Sequence, residues 1–259
     1  VAGAGDGAPG GDLVAGLSRA AWPDVREGAL VLVPVGSTEQ HGPHLPLSTD
    51  TVIAEAVAAR AAGVLRAEAA GAVLVAPAIA YGASGEHAGF PGTISIGHEA
   101  LHAVVVETVR SLAEWAGRVV LVNGHGGNVA TLDAAVGRLR REGHDAAWAG
   151  CGVPGGDAHA GCTETSVMLH LAPHLVRPFD AVSGETRPLA AIMPELVARG
   201  VRAVSPSGVL GDPAGASEAH GREIVAAMVR DVAGRIGGGR VDERGRLLGP
   251  GVPTQEARP

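Results

Sequence analysis

Residues 29–50 read A-L-V-L-V-P-V-G-S-T-E-Q-H-G-P-H-L-P-L-S-T-D. The first seven are apolar on consecutive positions, the pattern of a strand buried on both faces of a sheet. From Gly36 the chain turns polar and packs Glu39, His41, His44 and Asp50 into one loop, and helical spacing begins at about residue 50. A buried strand that passes through a polar loop into a helix opens a β-α unit, and Thr49 or Asp50 is placed to cap that helix.

Working outward, similar apolar runs recur at 72–77, 118–124 and, more weakly, 146–150. Segments 50–70, 98–116, 128–142, 164–172, 185–199 and 215–236 carry helical spacing, with Ser217 available as a cap for the last. This β-α-β-α order predicts a layered α/β/α fold around a mostly parallel sheet. In such sheets functional groups collect beyond the carboxyl ends of the strands. Residues 1–12 and 237–259 are Gly- and Pro-rich without periodicity and are expected to be loose tails around one domain, 13–236.

The chain has 259 residues, enough for one large buried core, and 46% are hydrophobic against 18% charged, which excludes a disordered chain. Aromatic residues make up only 2% and the formal charge is −7, so neither stacking platforms nor a phosphate-tracking surface is available for nucleic acid. All 20 basic residues are Arg, which excludes a Schiff-base lysine and a P-loop lysine. Cys151 and Cys162 fit neither a disulfide scaffold nor a zinc knuckle, and both are expected to be reduced. With no signal-peptide pattern and no apolar run long enough to span a bilayer, the expected location is the cytoplasm, away from membranes.

The polar clusters fall at predicted strand ends. Glu39 and His41, two apart on an extended segment, project to the same side, and Asp50 at the helix start can fold back toward them. That ligand set suits Zn, Mn or Fe(II). After the third strand, V-N-G-H-G-G-N (122–128) puts His125 on a glycine turn whose neighbours Gly126 and Gly127 permit close backbone approach. After the fourth, D-A-H-A-G-C-T-E-T-S (157–166) supplies His159 and, at the next helix start, Glu164. Three strand ends thus each deliver histidine with carboxylate or amide side chains. The loop Y-G-A-S-G-E-H-A-G-F-P-G-T (81–93) is expected to add a wall, with Glu86 and His87 facing substrate or a neighbouring subunit. Gly126, Gly127 and Asn128 are further candidate substrate contacts, and His44 and Asn128 plausible outer hydrogen-bonders. The turn-rich segment 205–213 reads as structural.

Four ordered motifs, G-S-T-E-Q-H-G-P-H-L-P-L-S-T-D, F-P-G-T-I-S, N-G-H-G-G-N and H-A-G-C-T-E-T-S, resemble the creatininase family over about residues 25–225. The resemblance implies a layered α/β hydrolase with two divalent metal ions (Zn, Fe(II) or Mn). By position, Glu39 and His125 would hold one ion, His41 the other, and Asp50 would bridge them. Creatininase has a further glutamate ligand two residues after its N-G-H histidine, where this chain has Gly127; Glu164 is assigned to that vacancy. His159 matches a histidine that the family places beside the substrate, where it could polarise a carbonyl or pass a proton to a leaving amine; the other reading of it is a brace for Glu164.

Two ions about 3.5–4 Å apart would share a water, lower its pKa toward about 7 and supply hydroxide to an amide carbonyl. No G-x-S-x-G elbow offers a serine nucleophile instead. Within the family the likeness is strongest to mycofactocin-system members, which cut a modified precursor peptide near its C-terminus and release a Val-Tyr-derived fragment. Creatinine ring opening, formamide hydrolysis and a non-catalytic metal-binding scaffold remain alternatives. Family members are usually homo-oligomers, and the same is expected here.

Overall fold

The computed structural model describes residues 16–68 and 71–249. Strands β1 (Leu30–Val35), β2 (Val73–Val75), β3 (Arg118–Asn123) and β4 (Ala146–Gly150) form one sheet in the order β2-β1-β3-β4. Every pairing is parallel, with registers such as Leu30↔Val73, Leu30↔Arg118 and Val119↔Ala146. The consecutive apolar runs have the consequence the sequence implied. Leu32, Val120 and Val122 face a cluster with helices α1 (Thr49–Glu68), α4 (Cys162–Leu171) and α7 (Glu218–Gly238). Val31, Val33 and Leu121 face the opposite cluster, with α2 (Gly97–Ala113) and α3 (Val129–Arg141). The weak run 146–150 is a full strand because its Trp148, 1% exposed, fills the second cluster.

From β1 the chain crosses through α1 to β2 on one side, and from β3 through α3 to β4 on the other, so β1 and β3 flank the point where strand order reverses. A crevice at the carboxyl ends there is the expected ligand position. Helices α5 (Leu189–Arg199) and α6 (Val201–Val204) form a separate apolar cluster of Ile192, Leu196, Val201 and Leu210 beside that crevice. Among the described residues no helix is long and apolar enough to cross a membrane.

One local expectation holds and two need adjustment. Ser217 does cap α7, accepting the His220 N–H at 3.2 Å. Thr49 and Asp50, by contrast, lie inside α1, and the Thr49 hydroxyl donates to the Pro46 carbonyl at 2.7 Å. Residues 237–249 are not loose. The Gly245 carbonyl accepts from Trp148 N–H at 2.9 Å, Leu247 N–H donates to the Trp148 carbonyl at 2.8 Å, and Leu247 is fully buried, so this run extends the β4 edge. The expected tails at 1–12 and 250–259 lie outside the described residues.

Candidate metal centre

Two glycines let the elements close on one another. A side chain at Gly36, the end of β1, would collide with Thr51 of α1, and one at Gly124, the end of β3, with the Asp50 carbonyl. With neither present, the N-terminus of α1 sits against both strand ends and Asp50 lies between the loops that carry His41 and His125. Glu39 Oε2 is 3.2 Å from His125 Nε2, Asp50 Oδ2 is 3.4 Å from His125 Nδ1, and Asp50 Oδ1 is 3.2 Å from His41 Nε2. Glu164, in the first turn of α4, brings Oε2 to 3.8 Å from His41 Nε2. Its orientation is fixed locally. Asp157 accepts the N–H groups of Cys162 and Thr163, and the Ala160 N–H donates to Glu164 Oε2 at 2.6 Å from an Ala160 in left-handed conformation, φ 52°.

The electrostatics follow from acids and imidazoles sharing a dry space. Burial disfavours charge on His41, yet Asp50, Glu164 and Glu39 outweigh it and push its pKa up to about 10. Burial likewise opposes charge on His125, but the Glu39 contact and Asp50 raise it to about 9. Glu39, despite burial, is held well below the usual carboxylate range by His125, His87 and His41. Burial lifts Glu164 to about 7, with His41 opposing and Asp50 reinforcing the shift.

Glu39 is 0% and Asp50 2% exposed, and both Glu39 oxygens and Asp50 Oδ2 have no hydrogen-bond partner. Buried carboxylate oxygens without donors are costly unless a cation balances them. Three groups have ligand atoms within 4.8 Å of one another: Glu39, Asp50 and His125; His41, His159 and Glu164; and Glu39, His87 and His159. Histidine nitrogen with carboxylate oxygen is a donor set for Zn, Mn or Fe(II). The residues present therefore fit divalent metal. His41 is also oriented for a metal ion: Nδ1 lies 3.1 Å from the Glu39 carbonyl, an acceptor only, so Nδ1 keeps its proton, and Nε2, which faces Asp50 and Glu164, is the nitrogen that would give up its proton to a metal ion.

His159 is 7% exposed and stacks between His41 and His87, at ring distances of 4.3 and 4.4 Å. Its Nε2 lies 2.8 Å from the Gln40 carbonyl and so holds the proton, which leaves the Nδ1 lone pair 3.7 Å from Glu39. Burial, with His41 and His87 alongside, keeps the ring neutral by lowering its pKa well below the ordinary value. His44 reaches across to Thr165, the neighbour of Glu164, at 2.8 Å. The 205–213 segment does more than turn. Leu210 pairs with His159 through the backbone, and the Gly208 carbonyl accepts from Gln40 Nε2 at 3.0 Å.

The other expected contacts divide. Glu86, Gly126 and Gly127 line an open cavity of about 1080 Å³ that also reaches Asp50, His125 and Glu164. His87 borders it too, but is 3% exposed and turned inward, Nε2 lying 3.4 Å from Glu39. Asn128, expected as a substrate contact or an outer hydrogen-bonder, is fully buried and does not line the cavity: it donates to the Gly36 carbonyl at 3.0 Å and accepts from Ala83 N–H at 2.9 Å, so it staples three loops.

Two members of the network escaped the sequence reading. Gln40, which strand alternation directs away from Glu39 and His41, places Nε2 2.8 Å from His87 Nδ1, while its Oε1 accepts the Gly42 N–H at 2.9 Å. Ser84 contacts Ser37 and, at 3.3 Å, His125, and a serine in a glycine loop gives no signal of that. The run His98-Glu99-Ala100-Leu101-His102 has H-E-x-x-H spacing, but among the described residues it joins no group of three ligands.

The family model described as creatininase, creatinine amidohydrolase, matches residues 18–236. The mycofactocin precursor peptide peptidase of Mycolicibacterium smegmatis is 56% identical over 218 residues, 84% of this chain and 88% of that protein. That of Mycobacterium tuberculosis (strain CDC 1551 / Oshkosh) is 58% identical over 210 residues, 80% and 84% of the respective chains. A solved mutant creatininase of Zn-Zn type superposes with a TM-score of 0.65 at 26% identity, covering 86% of this chain and 96% of the other. The strand-end cluster of acids and histidines, on a fold shared with these proteins, places the chain in the creatininase family of hydrolases that act on C–N bonds.

Proposed function

We propose that this chain is a peptidase holding two divalent ions, which cuts a modified mycofactocin precursor peptide near its C-terminus and releases a Val-Tyr-derived fragment. The observation that carries the two-ion reading is Asp50, whose two carboxylate oxygens face His41 on one side and His125 on the other. Glu39, Asp50 and His125 would hold one ion, and His41, Asp50 and Glu164 the second. Such a pair supplies Lewis acidity that acidifies water and polarises the scissile carbonyl.

The chain's own residues do the rest. Glu39 and Asp50, closed off from solvent, fix the charge of the centre, while the Glu39 carbonyl and the Ala160 N–H hold His41 and Glu164 in orientation. His159 offers the Nδ1 lone pair of a neutral imidazole, which accepts a hydrogen bond or a proton in transit. The walls favour a large substrate. The cavity is at the upper end of small-molecule pockets, Gly85 and Gly126 leave open space in its wall, and Met193 and Leu196 give it an apolar side. The two relatives at 56% and 58% identity carry the same substrate in their names.

The test is incubation of the metal-loaded protein with the modified precursor peptide and, separately, with creatinine, followed by mass spectrometry. Release of the C-terminal fragment with little action on creatinine supports the reading; equal or faster creatinine hydrolysis contradicts the substrate and leaves the hydrolase.

A further inference from the structure

Glu86 sits in the short turn Gly85–His87, whose neighbours are already committed: His87 to Glu39, and Ser84 to Ser37 and His125. The turn is pinned from both sides. His87 N–H donates to the Ser84 carbonyl at 3.0 Å, and a side chain at Gly200 would stand 3.0 Å from the Glu86 carbonyl. From this fixed base the Glu86 carboxylate reaches the centre, with Oε1 3.5 Å from His125 Nε2. A Cβ on residue 127 would lie only 2.5 Å from that same oxygen, so the space Gly127 leaves open is the space Glu86 fills.

Exposure separates it from the other acids of the cluster. The side chains of Glu39, Asp50 and Glu164 are 0%, 3% and 18% exposed, whereas that of Glu86 is 36% exposed and lines the cavity. Of the four it touches the ligand cluster with the most open face toward whatever enters.

Resting on the hydrolase reading above, we propose that Glu86 is a catalytic carboxylate of this reaction. It takes one proton from the attacking water as the water oxygen bonds to the amide carbon, and returns that proton to the nitrogen as the C–N bond breaks. Water and amide become acid and amine, and the carboxylate is regenerated. His159, with its lone pair at Nδ1, accepts the hydrogen bond of the water's remaining hydrogen.

The experiment compares wild type, Glu86→Gln and Glu86→Asp, each metal-loaded, on the precursor peptide and on creatinine. Metal content and KM are measured beside kcat. The wild-type ratio of the two substrates reports on the substrate reading; the variant-to-wild-type ratio on the faster substrate reports on Glu86. The expected result is a kcat loss of at least about 100-fold in Glu86→Gln, the ordinary scale of acid–base assistance, with metal content unchanged, KM within about threefold and partial recovery in Glu86→Asp. A kcat within about threefold of wild type, or loss of a metal ion in Glu86→Gln, would overturn the proposal, the second outcome making Glu86 a ligand.

Discussion

Asp50 Oδ1 stands 3.2 Å from His41 Nε2, and the other oxygen of the same carboxylate is turned to His125. One carboxylate therefore faces both His41 and His125, whereas Glu164 stands with His41 and His159 and away from His125 in the ligand groups. Asp50→Ala should strip both ions, leaving well under one equivalent, and Glu164→Ala should weaken chiefly one. Metal analysis after gel filtration reads this directly. Two ions retained at full affinity in Glu164→Ala would remove Glu164 from the ligand set.

Metal uptake should release protons. In the metal-free protein the pKa of His41 is about 10, and that of His125 about 9, both raised from 6.5 by neighbouring carboxylates. A raised pKa means that the imidazolium–carboxylate pairing stabilises the metal-free fold fully below about pH 6.5 and fades as pH climbs through 9 to 10. Cations compete with those protons, so affinity should rise with pH through the same window, with about two protons released on loading between pH 7 and 8. Calorimetry in buffers of differing ionisation enthalpy counts them. Proton-independent binding would contradict the ligand assignment.

His159→Ala should keep both ions and lose turnover by roughly 100-fold or more, since it removes a lone pair from the reacting space and no proposed ligand. The variant also removes the Nε2 donor of the Gln40 carbonyl, so metal content and melting temperature are measured beside turnover to separate chemistry from loss of the 36–50 loop. Loss of metal in that variant would instead make His159 a brace or ligand of the Glu164 side, which the grouping of His41, His159 and Glu164 allows as a distinct outcome.

Asn128 bears on stability rather than chemistry. Its side chain joins Gly36, Ala83 and Asn123 in a dry setting, so Asn128→Ala leaves a buried N–H and a buried carbonyl unpaired. About 3 kcal/mol should be lost in urea denaturation of the metal-free protein. A change under about 1 kcal/mol would show that the three loops hold without it.

The strands were readable because burial on both faces leaves apolar residues on consecutive positions, as in 29–35 and 118–124. Glu39, His41, Asp50, His125, His159 and Glu164 were readable because strand ends of a parallel sheet gather in one place, and the structure brings all six together. What the sequence hides is direction. Gln40 meets His87 and the Gly208 carbonyl, which arrive from distant segments, Asn128 looks like a site residue and points into the backbone, and the Glu86 carboxylate finds its place through an atom that Gly127 lacks. The end at 237–249 was misread because its Gly-rich composition says nothing of pairing with Trp148, a backbone contact that requires no particular side chain.

The central claim is that two ions are needed for turnover of the peptide. Metal-free protein titrated with Zn, Mn or Fe(II), with initial cleavage rate followed at each addition, tests it most directly. The account predicts no turnover at the start and a rate that rises and breaks at two equivalents per chain. Full turnover by verified metal-free protein, or saturation at one equivalent, would contradict it.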